Sequence, residues 1–416
     1  MDSDLFVRFL ELTPVQAMSA LIPVLGAQTK DATIMGFGID PYLMEESPFH
    51  GAVYAILSSI AKMVAAGGDF RKSWLTLQEY FERLEDVPEK WGKPLAALLG
   101  AWVAQRGMGV AAIGGKDSMS GTFRDLTVPP TVCSFAICPS TADEVITPEF
   151  KQAGHALYLM EIARDELALP LYEDVKVKYD RLHELMEEGK IHAAYAVERG
   201  GILAAAAKMG LGNGIGTAFQ EDISLKQLTR KSYGAILVET DADLGGEAGF
   251  QRIGTLTAAP EIRVNGEGVS LEDCRAFYTK PLEKVFPTKT KEAPMENTPV
   301  CRERSRLVPQ VKTAKPRIVI PVFPGTNCEY DTARAFGSGA VSYTHLPGFY
   351  GSMPDGSIKT FSRGGSDVTG AIVAAAASAD LYENWTDVSG FFMADPRIVK
   401  NAKKIDCITY KAGRDF

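Results

Sequence analysis

Residues 47–69 read SPFHGAVYAILSSIAKMVAAGGD, and their spacing decides the class of fold. Val53, Ile56, Leu57, Ile60, Ala61, Met63 and Val64 recur at helical intervals, and the run stops at Gly67-Gly68, as a C-terminal glycine stop requires. The spacing predicts a buried helix. Downstream, Leu95 to Val103 repeats it, Val110 to Ile113 is a short apolar strand, and Thr131 to Ile137 alternates like a second strand after Pro129-Pro130. Pro139 to Pro148 marks a domain boundary. A second unit opens with the apolar strand Ala156–Met160. Helices are expected over Tyr172–Glu188 and Ile202–Met209, the latter entered through Gly200-Gly201 and left through Gly210. Further strands are expected at Gly234–Val238 and Ile253–Leu256. The class is mixed α/β (α+β).

Composition narrows the function. A chain of 416 residues allows two to four domains at roughly 100–200 residues each. With 44 Lys+Arg against 52 Asp+Glu the net charge is -8, which disfavours nucleic acid and anionic membrane surfaces as partners. The longest apolar stretches, such as Ala371–Ala379, fall short of the ~20 residues needed to span a bilayer. The first fifteen residues carry Asp2, Asp4 and Glu11 without a basic-then-apolar start, so no secretory signal and a cytoplasmic location are expected. Cys133, Cys138, Cys274, Cys301, Cys328 and Cys407 form no CxxC pair, so reduced thiols are expected rather than a disulfide framework or a zinc site.

Towards the C-terminus the character changes. From Asn297 to Arg317 six basic residues (Arg302, Arg304, Arg306, Lys312, Lys315, Arg317) stand against Glu303 alone, interrupted by Pro299, Pro309 and Pro316. That is a linker composition. Ile318–Phe323 reads as a buried strand and Tyr330–Phe336 as a helix, so a fresh βα unit starts there. It breaks off in residues 337–346, GSGAVSYTHL, which have neither helical nor strand period. Ala371–Ala379 reads as a small-residue helix, and Tyr382–Thr386 as an extended segment.

The sharpest chemical signal in the first unit is AIGGKDSMSGTF at 112–123. Two glycines after a strand let backbone approach an anion, and Lys116 with the hydroxyls of Ser118 and Ser120 supplies charge-assisted donors to phosphate oxygens. The spacing matches neither GxxxxGK[ST] nor GxGxxG. Local chemistry leaves an anion-binding turn and an ordinary Gly-Gly turn with a solvated lysine both open.

Longer stretches carry a resemblance. TPVQAMSALIPVLGA (13–27), residues 47–69, LTLQEYFERL (75–84), WGKPLAALLGAW (91–102), residues 112–123 and VPPTVCSFAI (128–137) resemble the second half of the synthetase region of the phosphoribosylformylglycinamidine synthase family. VFPGTNCEYDTARAF (322–336) resembles the opening of that family's glutaminase domain. The resemblance implies an aminoimidazole ribonucleotide synthetase-like N-terminal domain over 1–142, its companion C-terminal α/β domain over 143–290, a linker over 291–317 and a truncated, Rossmann-like glutaminase start over 318–336. It implies a ligase of purine biosynthesis that turns a formamide oxygen into an amidine nitrogen. The implied substrates are formylglycinamide ribonucleotide, ATP and glutamine, with Mg2+ as cofactor. Gly114, Gly115, Lys116, Asp117 and Ser118 would form its phosphate- and substrate-binding turn.

The family's first repeat, with its histidine-bearing motif, is not among these residues. The resemblance therefore implies half of the machinery, a need for the missing first half or a homodimer partner, and inactivity alone. Where relatives hold an auxiliary nucleotide through a Glu and an Asn, this chain aligns Ser58 and Lys62. Where they have an acid-rich turn, it has Tyr195-Ala196-Val197-Glu198-Arg199-Gly200-Gly201. A protonated lysine ligates no magnesium, so the metal ligands of that auxiliary site are expected to be missing. The glutaminase Cys, His and Glu lie beyond the opening strand in the family and are not expected here. Cys328 and His50 are read as structural.

PGFYGSMPDG (347–356), FSRGGSDVTGA (361–371), ENWTDVSGFFMADPRIV (383–399) and NAKKID (401–406) resemble part of the aspartokinase catalytic domain. Residues 347–416 would then be an amino-acid-kinase fragment. Arg363, Gly364, Gly365, Ser366 and Asp367 would bind the amino acid substrate, because a fork donor beside paired glycines suits a carboxylate. Thr386, Asp387, Phe392 and Arg397 would lie at the nucleotide. The family's N-terminal phosphate loop is not found. Residues 337–346 are read as the junction of a chimaeric gene, since VSYTHL (341–346) resembles translated sequencing adapter. The alternatives to a ligase fragment are an aspartate kinase and a non-catalytic α/β binding module.

Overall fold

The computed structural model describes residues 12–24, 27–247, 249–287, 317–321, 342–346, 350–352, 356, 358–360 and 365–378. In chain order its strands are β1 Ala17–Leu21, β2 Asp31–Gly38, β3 Trp74–Tyr80, β4 Ala112–Ser118, β5 Thr122–Phe123, β6 Leu126–Thr127, β7 Thr131–Thr141, β8 Ala156–Met160, β9 Ala193–Ala196, β10 Gly216–Phe219, β11 Ile236–Thr240, β12 Phe250–Thr257, β13 Glu261–Val264, β14 Glu267–Ser270, β15 Arg317–Pro321, β16 Ser342–Leu346, β17 Tyr350–Ser352 and β18 Ile358–Thr360. The α-helices are α1 Pro41–Glu46, α2 Pro48–Ala65, α3 Pro88–Met108, α4 Tyr172–Glu187, α5 Gly201–Leu211, α6 Leu225–Leu228, α7 Leu271–Thr279 and α8 Gly365–Ala376.

Helix α2 organises the first unit. The Ser47 hydroxyl accepts from His50 N–H at its start, and Pro48 fills the first turn, where a missing N–H costs nothing. Every residue from Gly51 to Ala65 is buried, which makes α2 a core helix covered on all sides. It packs on β2, β7, β9 and α3. Close approach to β2 is enforced by glycine: a Cβ on Gly38 would stand 1.9 Å from Ala55 O. Gly67, at φ +101°, ends the run where the spacing predicted.

The five-stranded sheet runs β1-β2-β7-β3-β4, antiparallel except for the parallel β3/β4 pair. The seven-stranded sheet runs β14-β13-β10-β12-β8-β11-β9. Alternation along its central strands divides the core. Tyr158, Met160, Ala194, Ala196, Ile236 and Val238 join the cluster around α2 and α4. Leu157, Leu159, Ala193, Tyr195 and Leu237 join a second cluster with α5 and α7. Because one face of the second sheet shares a core with α2, residues 1–292 cluster as one compact unit and 293–416 as another.

Three local expectations are corrected. The strand expected over Thr131–Ile137 runs on to Thr141 as β7; β3 pairs it only as far as Ile137, so beyond that point a residue without an N–H, Pro139, is tolerated. The strand placed at Val110–Ile113 is Ala112–Ser118, because pairing with β3 carries it through both glycines. Residues Ser342–Leu346, expected to be featureless, form β16, paired in parallel with β15 from Arg317↔Ser342 to Pro321↔Leu346. A distant strand supplied the order that local periodicity lacked. Within the second unit β17 and β18 also pair, antiparallel, and α8 covers most of the expected small-residue helix. The helix expected at Tyr330–Phe336 and the extended segment Tyr382–Thr386 lie outside the described residues.

Candidate functional site

A cleft of about 680 Å³ opens between β1, the C-terminal half of α2 and residues 142–148. Its wall is mostly apolar, with Ala17, Leu21, Ala65, Val145 and Ile146 among the lining residues, and it presents the polar side chains of Gln16 and Lys62. Mostly apolar walls with few polar anchors are what small-molecule sites share.

Lys62 is 2% exposed, held there because α2 is buried all round. Its Nζ lies 2.7 Å from Glu198 Oε1 and 3.9 Å above the centre of the Phe37 ring. A buried ammonium needs such partners, since desolvation without them costs several kcal/mol on the order of an unpaired ion. Gln16 docks β1's leading end onto β9: its Nε2 donates to Ala196 O at 2.9 Å, and Ala196 N–H donates to its Oε1 at 2.8 Å. Lys208 stands near the same carboxylate; burial pushes its pKa down, Glu198 opposes that, and Lys62 adds to it. Burial also pushes the Cys133 thiol up, with Lys62 pulling the other way.

The two departures from the family pattern, Lys62 and the 195–201 turn, are therefore one contact. The sequence presented them separately, and the structure joins them through the Lys62–Glu198 pair. Ser58, one turn before Lys62, is buried. Around Lys62 the acceptor is one carboxylate, Glu198, already engaged by the ammonium. Gln16 escaped notice in the sequence, where nothing but a lone amide in an apolar stretch marked it.

The residues expected to form a phosphate turn lie elsewhere, on the exposed edge strand β4. Strand alternation puts Gly114, Lys116 and Ser118 on one face and Gly115 and Asp117 on the other, while Gly115, Lys116 and Asp117 line a small cavity of about 230 Å³ with Leu77 and Glu79. Gly115 is required by the neighbouring strand: a Cβ there would stand 2.2 Å from Leu77 O. Asp117 pairs in register with Glu79, whose pKa is raised by burial and then by Asp117. Lys116 Nζ donates to Asp117 O at 3.0 Å, and the Ser118 and Ser120 hydroxyls bond each other at 2.9 Å.

His50 has both ring nitrogens engaged by structural partners, Ser47 Oγ at 2.8 Å and Leu167 O at 3.0 Å. The carbonyl can only accept, so Nε2 carries the proton and Nδ1 accepts from the serine. Of the kinase-like set, Gly365, Ser366 and Asp367 form the first turn of α8. Arg363, Gly364, Thr386, Asp387, Phe392 and Arg397 lie outside the described residues, as does Cys328.

Comparison with known proteins supports each part separately. Residues 343–415 match the amino acid kinase family. That match begins inside the stretch 337–346 read as a junction. Over 71 residues the chain is 49% identical to aspartokinase 3 of Bacillus subtilis, covering 17% of this chain and 16% of the relative. Over 67 residues it is 51% identical to the aspartokinase of Mycobacterium tuberculosis, again 16% of each. The chain thus spans about a sixth of the curated relatives it matches. Among solved structures, PurLQS of Thermotoga maritima superposes with a TM-score of 0.51 at 14% identity, over 66% of this chain and 48% of that one. T. maritima PurL complexed with FGAR gives 0.50 at 14% identity, over 75% and 54%. The chain has a mixed α/β architecture that resembles the fold of these T. maritima structures, and its residues 343–415 are similar to the amino acid kinase family.

Proposed function

We propose that residues 12–287 act as the second synthetase half of a phosphoribosylformylglycinamidine synthase, binding formylglycinamide ribonucleotide and ATP but turning over only with a matching first half. The observation that carries the reading is the shared fold with PurL over most of the chain, joined to the collinear motifs of residues 13–137. The buried Lys62–Glu198 pair supports a structural rather than a nucleotide-holding role for this part of the half, since a paired ammonium ligates no magnesium. Phosphate contacts fall instead to the Lys116 and Ser118 face of β4. ATP with formylglycinamide ribonucleotide is expected to raise the melting temperature of the purified chain, and Lys116→Ala to reduce that rise. No shift with these ligands, or a shift untouched by Lys116→Ala, refutes the respective part. Ammonia release from glutamine by the chain alone would contradict the truncated glutaminase.

A second reading is favoured by the match of residues 343–415 alone: a fragment of an aspartate kinase, joined to the ligase piece near 337–346. Stabilisation by aspartate plus ATP, rather than by the purine substrate, selects it. Stabilisation by neither pair selects a non-catalytic module. A single sequencing read across residues 330–350 in source DNA, in one uninterrupted frame, would refute the junction.

A further inference from the structure

At one end of the seven-stranded sheet, β11 runs antiparallel to both of its neighbours, so its C-terminal end meets the starts of β8 and β9. That topology gathers His155, which precedes β8, His192, which precedes β9, and Asp241, which follows β11. One ligand atom of each lies within 4.8 Å of the others. The two imidazole rings are 4.9 Å apart, tilted by 31°, and His192 Nε2 is 2.9 Å from Asp241 Oδ1. Behind them stands Glu239, fully buried, with Oε1 2.8 Å from His155 Nδ1. Glu239 also accepts backbone N–H bonds from Lys151 at 2.7 Å and Gln152 at 3.0 Å, which fix its carboxylate in place. It therefore takes the His155 Nδ1–H and leaves the Nε2 lone pair free.

We propose that His155, His192 and Asp241 form a binding site for a divalent transition-metal ion of the zinc class, with Glu239 as the buried carboxylate that orients His155. Two imidazoles and one carboxylate are the donors such ions select, whereas magnesium and calcium select oxygen alone. A ligand histidine whose second nitrogen donates to a carboxylate is the usual support of such a centre. Bonds of about 2.0–2.1 Å require the ligand atoms to draw closer than they stand. Asp241 is free to move for this, its side chain being 64% exposed, and its bond to His192 is exchanged for shared coordination. Three protein ligands leave a further position for water. The site is independent of the synthetase reading, since the cleft near Lys62 is built from other residues.

The full chain, stripped with chelator, is titrated with cobalt(II) and then zinc(II), following the visible absorption of bound cobalt. One cobalt per chain is expected, displaced by zinc and unaffected by a large excess of magnesium. Asp241→Asn and His192→Ala should each weaken binding at least tenfold, and Glu239→Gln by about 10–100-fold. The Asp241→Asn/His192→Ala double variant alters partly exposed side chains, so circular dichroism should show it folded even where Glu239→Gln is not. No stoichiometric cobalt binding by the parent chain, or undiminished binding by the folded double variant, overturns the proposal.

Discussion

Removing Glu198 should destabilise the first unit far more than removing Lys62, although both changes delete the same ion pair. The Lys62 side chain is only 2% exposed, while the Glu198 side chain keeps 30% of its surface accessible. Truncating Glu198 to alanine strands a buried ammonium, for which breaking a buried pair costs about 3–5 kcal/mol. The Phe37 ring recovers about 1 kcal/mol of that. Roughly 2–4 kcal/mol is left, or a fall in Tm of about 4–16 °C at the 2–4 °C per kcal/mol of a large domain. Lys62→Met keeps the apolar stem and leaves Glu198 free to turn towards water, so its cost should stay within about 1 kcal/mol. The double variant Lys62→Met/Glu198→Ala should recover most of the loss, because no buried charge remains. Urea unfolding of the two single variants and the double one measures this as a cycle. If Glu198→Ala costs no more than Lys62→Met, Lys62 is not the uncompensated charge and the account of the cleft fails.

Other consequences are as direct. Leu57→Ala, at a fully buried position of α2, should cost about 2–5 kcal/mol in urea unfolding. Gly38→Ala should cost about 3 kcal/mol, at the top of the usual overpacking range, because the new Cβ meets the fixed carbonyl of Ala55 rather than a movable side chain. Burial pushes the Cys138 thiol up to about 11 from 9.0, so it should resist thiol reagents at pH 8 until the chain unfolds. The folded state then keeps a proton that the unfolded chain loses from about pH 9. Stability should therefore fall between about pH 9 and 11, and Cys138→Ala should flatten that fall. Lys116→Ala, on an exposed strand edge, should change stability by no more than about 0.5 kcal/mol.

The sequence by itself determined what depends on neighbours along the chain. The period of residues 53–64 and the Gly67 stop gave α2, alternation gave β7, and an unbroken apolar run gave β8. In the first two the side chains that share a face recur at intervals set by the backbone. The same reasoning placed Lys116 in a turn, since two glycines in succession carry no periodicity and only the register with β3 makes them a strand. Ser342–Leu346 likewise owes its order to β15. The tertiary structure decided which distant charges meet. Lys62 finds Glu198, Gln16 finds Ala196, and His155 finds His192 and Asp241 across gaps in the chain that no local period spans. Those encounters are fixed by the packing of α2 against two sheets and by the order of β8, β11 and β9. Burial then sets their energies, because it removes the water that would otherwise make each charge indifferent to its partner.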